Sequence, residues 1–215
     1  GCCMHLLLFL ACTGSTEKTA FPDVLTPIEE MKVEAPEGSS SEPYPETYEV
    51  LSADEGDYAW VHLRGYIQSD MSTVWDSIRN DLVYVNQREV ASYEIEELDA
   101  GIYDFIFQVY NDVENIVMVE FTNEWRHVAT EGTKDVPEEV TIRWQKIEGT
   151  EFIASIEGSI QIIPVADGRK DVVEVQIIEH LSATLDQEGS ALIFVEDLFE
   201  RWALVSHGQE IPAYQ

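Results

Sequence analysis

The spacing of apolar residues along this chain switches between two periods, and the switches mark its elements. Val61, Leu63, Gly65 and Ile67 alternate with His62, Arg64, Tyr66 and Gln68, which predicts a strand with one buried face. Met71, Val74, Trp75, Ile78 and Leu82 then share one face of a short helix, with Ser69 and Asp70 suited to cap it and Asn80 and Asp81 to end it. Val90–Leu98 and Tyr103–Tyr110, around a turn at Asp99, Ala100 and Gly101, predict a hairpin. A strand from Ile116 to His127 puts Val117, Val119, Phe121 and Trp125 on one face, and a polar loop is expected over 130–139 around Gly132 and Pro137. Val140, Ile142 and Trp144 line the next strand. The clearest alternation follows, with Phe152, Ala154, Ile156, Gly158, Ile160 and Ile162 facing one way and Ser155, Glu157, Ser159 and Gln161 the other. A turn at Asp167 and Gly168 leads to a last strand over Val172–His180.

Helical spacing returns for the longest element, Thr184 to His207. Leu192, Val195, Phe199, Trp202 and Ser206 form its stripe, widened by Leu198, Leu204 and Val205. Glu196, Asp197, Glu200 and Arg201 fall mostly on the other side. Thr184 with Gln187 has the spacing of a capping box, Ser190 is a second possible start, and Gly208 followed by Pro212 marks the stop.

Strand, short helix, meandering strands and one long terminal helix, over roughly residues 58–207, resemble the helix-grip fold of the START-domain and polyketide-cyclase-like superfamily. The residues that carry the resemblance are Gln68, Ser69 and Asp70 running into Met71–Ile78, then Gly158–Pro164 ahead of the last strand and helix. The proline- and tryptophan-rich stretch usual after the first helix is absent, and Asp81–Asn86 stands in its place. The resemblance implies an α+β domain with a curved antiparallel sheet of about six to seven strands wrapped around the C-terminal helix. It also implies an internal apolar cavity for a lipid-like or aromatic small molecule. Phe105, Phe107, Trp144, Phe152, Ile156, Ile160, Leu192, Val195, Phe199 and Trp202 would line that cavity, with Tyr103 as a further aromatic candidate. Two other readings stand beside this one. A cyclase- or dehydratase-type enzyme of the same fold would show an inward-facing His62, Glu120 or His180. An acidic protein-interaction module would show a filled core and an exposed apolar patch.

Composition narrows the partners. The 215 residues carry a formal charge of -30 with only 12 lysines and arginines, which disfavours nucleic acid and attraction to anionic membranes. No nucleophile elbow, phosphate loop or metal-binding pair of histidines occurs, so no catalytic residue, metal or cofactor is expected. Arg64 and Arg143 oppose apolar neighbours in their strands and are expected on the outer face. The domain is expected to act as a monomer.

The three cysteines, Cys2, Cys3 and Cys12, all precede it. Residues 1–12 read as a signal segment whose end, Phe9-Leu10-Ala11-Cys12, looks like a bacterial lipobox, although Phe9 stands where Leu is usual and no basic residue precedes the run. Cys12 would then be the site of lipidation, holding the protein at the cell envelope; read as an ordinary secretory peptide, the segment would leave the protein secreted. Residues 13–57 carry twelve acids against two lysines and are rich in Pro, Ser and Gly, so a disordered tether is expected there. The folded domain is expected over 58–208 and a short tail over 209–215.

Overall fold

Eight antiparallel strands pair into one curved sheet in the order β1-β2-β8-β7-β6-β5-β4-β3. This computed structural model describes residues 21–213 apart from 86, 87, 89 and 114–118. The strands are β1 (Tyr48–Asp54), β2 (Ala59–Ile67), β3 (Ser92–Leu98), β4 (Phe105–Val113), β5 (Val119–Thr133), β6 (Val136–Gly149), β7 (Ile153–Pro164) and β8 (Val173–Ala183). Helix α1 (Met71–Ser77) and a 3-10 turn (Asp81–Tyr84) connect β2 to β3, and α2 (Gln187–Ser206) ends the fold. A curved antiparallel sheet gripping a long C-terminal helix is the helix-grip fold, with one strand more than expected. The core lies between the concave face and the helices, where Val61, Leu63, Ile142, Ile160, Ile177, Val195 and Leu198 are all buried.

Local chemistry sets the element ends. Asp70 caps α1 by accepting from the Thr73 amide at 3.0 Å. At the other end of the fold, Gly208 at φ +67° closes α2 with a reciprocal pair of bonds, Gln209 N–H to Leu204 O and Gly208 N–H to Val205 O, both 2.9 Å. The expected start of α2 is corrected. Thr184 bonds the Phe152 carbonyl through both its amide and its hydroxyl, and Asp186 at φ 42° is the residue that precedes the helix. Gln187 turns back to β1, donating to Asp54 and Gly56.

Four further expectations change. Residues 130–139 are not a loop: β5 and β6 continue as an exposed two-stranded arm, turning at Lys134 and Asp135, with register shifts at Ala129/Glu131 and Glu131/Gly132. The arm is polar because it extends past the core. Asp197 and Arg201 are buried rather than solvated, with Val85 and Arg88 meeting that side of α2. Arg201 donates to the Val85 carbonyl, and Arg88 pairs with Asp197 at 2.9 Å. Ile211, in the expected tail, packs on the core.

The fourth correction concerns the expected tether. Its last part forms β1, which lays Tyr48 and Val50 against the core, and residues 21–46 run as an extended strap packed on the domain. Its own Leu25 and Val33 are buried against the domain. On the convex face Arg143 donates to the Thr26 carbonyl at 3.0 Å, and the Ile28 amide donates to Ser159 Oγ at 3.1 Å. Arg64 also lies on this face, paired with Glu174 at 2.7 Å. At the centre, Glu29 Oε1 receives His62 Nε2 and His180 Nε2, each at 2.8 Å. The Lys32 amide donates to His62 Nδ1 at 3.2 Å, so His62 is neutral with its proton on Nε2. Cys12 and the expected lipobox lie outside the described residues.

This attachment is pH-sensitive. Partial burial opposes ionisation of Glu29, but hydrogen bonds from His180, His62 and Lys32 together outweigh it and hold its carboxyl down at about 2. A folded value below the ordinary 4.5 means stabilisation present above about 4.5 and lost as pH falls toward 2. Burial also pushes His62 down, against the pull of Glu29, so the folded chain resists a proton that the unfolded chain takes up below 6.5. His180 acts oppositely. Its burial is outweighed by Glu157 and Glu29, its value is raised, and its contribution is lost as pH rises. Acidification from roughly pH 6.5 to pH 3 is expected to speed amide exchange at Ile28 and Lys32 about tenfold beyond the intrinsic change. Glu29→Gln should show the fast rates already at the upper pH, and wild-type protection in that variant would remove Glu29 from the attachment.

Candidate functional site

The site is built on the concave face of β4, β5 and β6. Phe107, Trp125, Trp144 and Gly158 are successive cross-strand partners from β4 to β7, so their inward positions form one row. Trp125 and Trp144 stack at 4.5 Å with their planes 17° apart. Gly158 permits this, because Trp144 lies directly on its backbone. Tyr84, delivered by the 3-10 turn, closes the row from above with its ring 4.5 Å from Trp125 and 5.1 Å from Phe107.

Inside this aromatic group the Tyr84 hydroxyl and His127 Nε2 share a 2.7 Å hydrogen bond. Complete burial pushes His127 down to about 3 and drives Tyr84 upward, so both are neutral at ordinary pH. A neutral imidazole and phenol among Trp75, Phe105 and Phe107 can hydrogen-bond without carrying charge.

From the helix side, half-buried Phe194 sits 6.4 Å from the Trp125 ring and 6.3 Å from the Trp144 ring. The main sheet contacts of α2 are with β2, β8 and β1, at one side of the grip. The concave face of β3–β5 therefore meets side chains in place of helix. Ile95, Phe105, Phe107 and Phe121 are only partly buried there, with Leu192 and Phe194 partly buried on α2.

Of the ten residues expected to line a cavity, Trp144, Ile156, Ile160, Val195, Phe199 and Trp202 are buried in one core, and Phe105, Phe107 and Leu192 pack partly buried against it. They reach several parts of the fold. Phe199 packs on Tyr48 at 5.2 Å, and Trp202 turns toward α1, donating Nε1 to Val74 O at 3.0 Å and Ser77 Oγ at 2.9 Å. Phe152 is exposed in the β6–β7 turn, because a register shift between Ile153 and Ser155 makes Ile153 the core contact. Tyr103 sits at the convex side, its hydroxyl donating to the Pro22 carbonyl.

Trp125, Trp144 and Trp202 fill the interior. Two concavities stand out among the described residues, and both are open surface grooves. One, of about 400 Å³, lies between Tyr48 and the last turns of α2, and the other, of about 380 Å³, lies between the strap and β1.

Sequence reasoning left Trp125, Tyr84 and Phe194 out of this group and placed His127 at a strand end in preference to a cavity. For His127 a signal existed, since it continues the inward alternation of Phe121 and Trp125. Tyr84 lies in a stretch with no period, and Phe194 sits at the margin of its helix stripe. The proposed signs of an enzyme are not met, as His62 and His180 face the strap and Glu120 alternates outward from Phe121. Among the described residues no group of three or more His, Cys, Asp or Glu is arranged to hold a metal ion.

No protein-family model and no curated protein matches this chain. Solved structures do resemble it. The human StarD13 lipid transfer and protein localization domain aligns with a TM-score of 0.49 at 10% identity, covering 74% of this chain and 86% of that one. The Zhui aromatase/cyclase from Streptomyces sp. R1128 aligns at 0.41 and 11% identity, covering 75% and 89%. A protein from Thermus thermophilus aligns at 0.45 and 15% identity, covering 68% and 99%. Likeness at such identity concerns fold alone, and the helix-grip architecture of this chain rests on its own curved sheet and long C-terminal helix.

Proposed function

We propose that this protein binds a hydrophobic small molecule between α2 and the β3–β5 side of the sheet, on the aromatic row of Phe107, Trp125 and Trp144. The observation that carries the reading is the partly buried apolar surface left where α2 departs from the concave face, formed by Ile95, Phe105, Phe107, Phe121, Leu192 and Phe194. A ligand that removed about 200 Å² of apolar surface from water there would gain about 5 kcal/mol before association costs. Phe194 and Phe107 are the side chains that would move to admit it.

Native mass spectrometry of the full chain from its own cells, with extraction of bound lipid, tests this. A near-stoichiometric co-purifying hydrophobic molecule is the expected result. An empty protein whose melting temperature ignores a panel of lipids and aromatics would overturn the reading. The filled interior favours a second one, an acidic module that engages a protein partner, and that result would select it.

The same proposal holds the domain as a monomer at the bacterial cell envelope through lipid on Cys12. Support comes from the Phe9–Cys12 sequence. No helix among the described residues is long and apolar enough to cross a membrane. The intact mass of the mature chain should show a lipid-modified Cys12, and Cys12→Ser should release the protein from the membrane fraction. An unmodified mature chain would discard the anchor.

A further inference from the structure

Four tryptophans of this fold are fully buried, and their indole N–H groups divide into two kinds. Trp75 Nε1 donates to the Lys134 carbonyl at 2.9 Å, and Trp202 Nε1 donates to Val74 O and Ser77 Oγ. Trp125 and Trp144, the stacked pair, have buried Nε1 atoms with no acceptor among the described residues. A buried donor left unpaired costs about 1–3 kcal/mol, so two of them side by side in a core are an expensive arrangement to keep.

The sheet explains why the protein does not satisfy them. Trp144 leans on Gly158 and Trp125 stacks on Trp144, over strands whose backbone groups are committed to the ladder. Trp144 Cε2, which bears Nε1, lies over Gly158, and the Gly158 carbonyl accepts Arg143 Nε from the other face at 3.1 Å. The ring nearest the pair from α2 belongs to Phe194, which offers no acceptor and is only partly buried. The two donors therefore sit at the junction of the filled core and the partly covered apolar surface.

We propose that the indole N–H groups of Trp125 and Trp144 are the polar contacts of the ligand and donate to an acceptor oxygen on it. The ligand class is then an apolar body, aromatic or aliphatic, that carries a carbonyl or carboxylate oxygen, rather than a plain hydrocarbon. This rests on the ligand-binding reading above. Apolar burial supplies the affinity, and the two indoles fix the orientation and reject isosteres without the oxygen.

Isothermal titration calorimetry on the full chain tests it with matched probes. One pair is 2-acetylnaphthalene and 2-isopropenylnaphthalene; the other is 2-undecanone and 2-methyl-1-undecene. Within each pair a C=O replaces a C=CH2 of nearly the same shape. The ketone of at least one pair is expected to bind about tenfold more tightly than its hydrocarbon partner. Trp125→Phe and Trp144→Phe are expected to erase that preference, whatever they do to the affinity for either member of a pair, and an unchanged far-ultraviolet circular dichroism spectrum shows that each variant folds. Equal affinities within both pairs in the wild-type chain would overturn the inference and leave hydrophobic binding intact, with the indoles served by water. Binding of no probe at all would overturn the ligand-binding reading, and this inference with it.

Discussion

Trp202→Ala is expected to destabilise the fold by about 4 kcal/mol, measured as a shift in urea midpoint at unchanged slope. Trp202 is completely buried and sits where α2 crosses α1. Its ring fills that crossing, and its N–H serves both the Val74 carbonyl and Ser77 Oγ. Ser77 is tied in turn to Ser206 of α2 by a 2.8 Å hydroxyl pair. Truncation removes the largest side chain of the seam and one donor from Val74 O and Ser77 Oγ, which keep their bonds to the Ile78 amide and to Ser206. Trp202→Phe keeps most of the volume and loses only the donor, so about 1–2 kcal/mol is expected for it. A loss under about 1.5 kcal/mol for the alanine variant would mean that the seam is not packed as described.

Gly158→Val is the second large effect, at about 3 kcal/mol. A Cβ at this position would lie 2.0 Å from Trp144 Cζ2 and 2.3 Å from Cε2 and Cη2. No rotamer of valine avoids a clash made by its first carbon, so Trp144 must leave its stack on Trp125. The near-ultraviolet circular dichroism of the paired indoles should fall with stability. Shortening the partner should relieve the conflict. Trp144→Ala and Gly158→Val combined are expected to cost less than the sum of the two single changes, by about 1–2 kcal/mol. Simple additivity would show that the ring does not rest on Gly158.

The contrast between Gly158 and Tyr84 shows what the sequence could convey. Gly158 falls in the cleanest alternation of the chain, so its inward position was legible, and so were Ile156, Ile160 and Trp144 around it. Period-2 and helical patterns are written by burial of one face, which is why seven of the strands and both helices could be read. Beta-strand β1 has the alternation too, but Glu49, Asp54 and an exposed Leu51 sit inside an acidic, proline-rich stretch whose average composition hides it. The strap was illegible for a related reason. It is held by hydrogen bonds to single partners far away in sequence, such as Glu29 to His62 and His180, and such contacts leave no period. Asp197 and Arg201 misled because a charge on a helix marks its solvated side only until another segment covers it. The candidate site was legible in its residue types and less so in its shape. Whether large aromatic rings surround a space or fill it depends on their rotamers and on one glycine.

The strap also sets a length. Were residues 13–57 a free leash, a lipid on Cys12 would let the domain wander about 150 Å from the bilayer at full extension. With the chain fastened to the convex face from Phe21 onward, only eight residues lie between Cys12 and the folded body. At most about 30 Å of reach remains. If Cys12 carries the proposed lipid, a domain so closely moored would keep the Phe21–Arg126 end of its convex face toward the headgroups. It would collect its ligand from the adjacent leaflet, and it could not ferry cargo across a wide compartment.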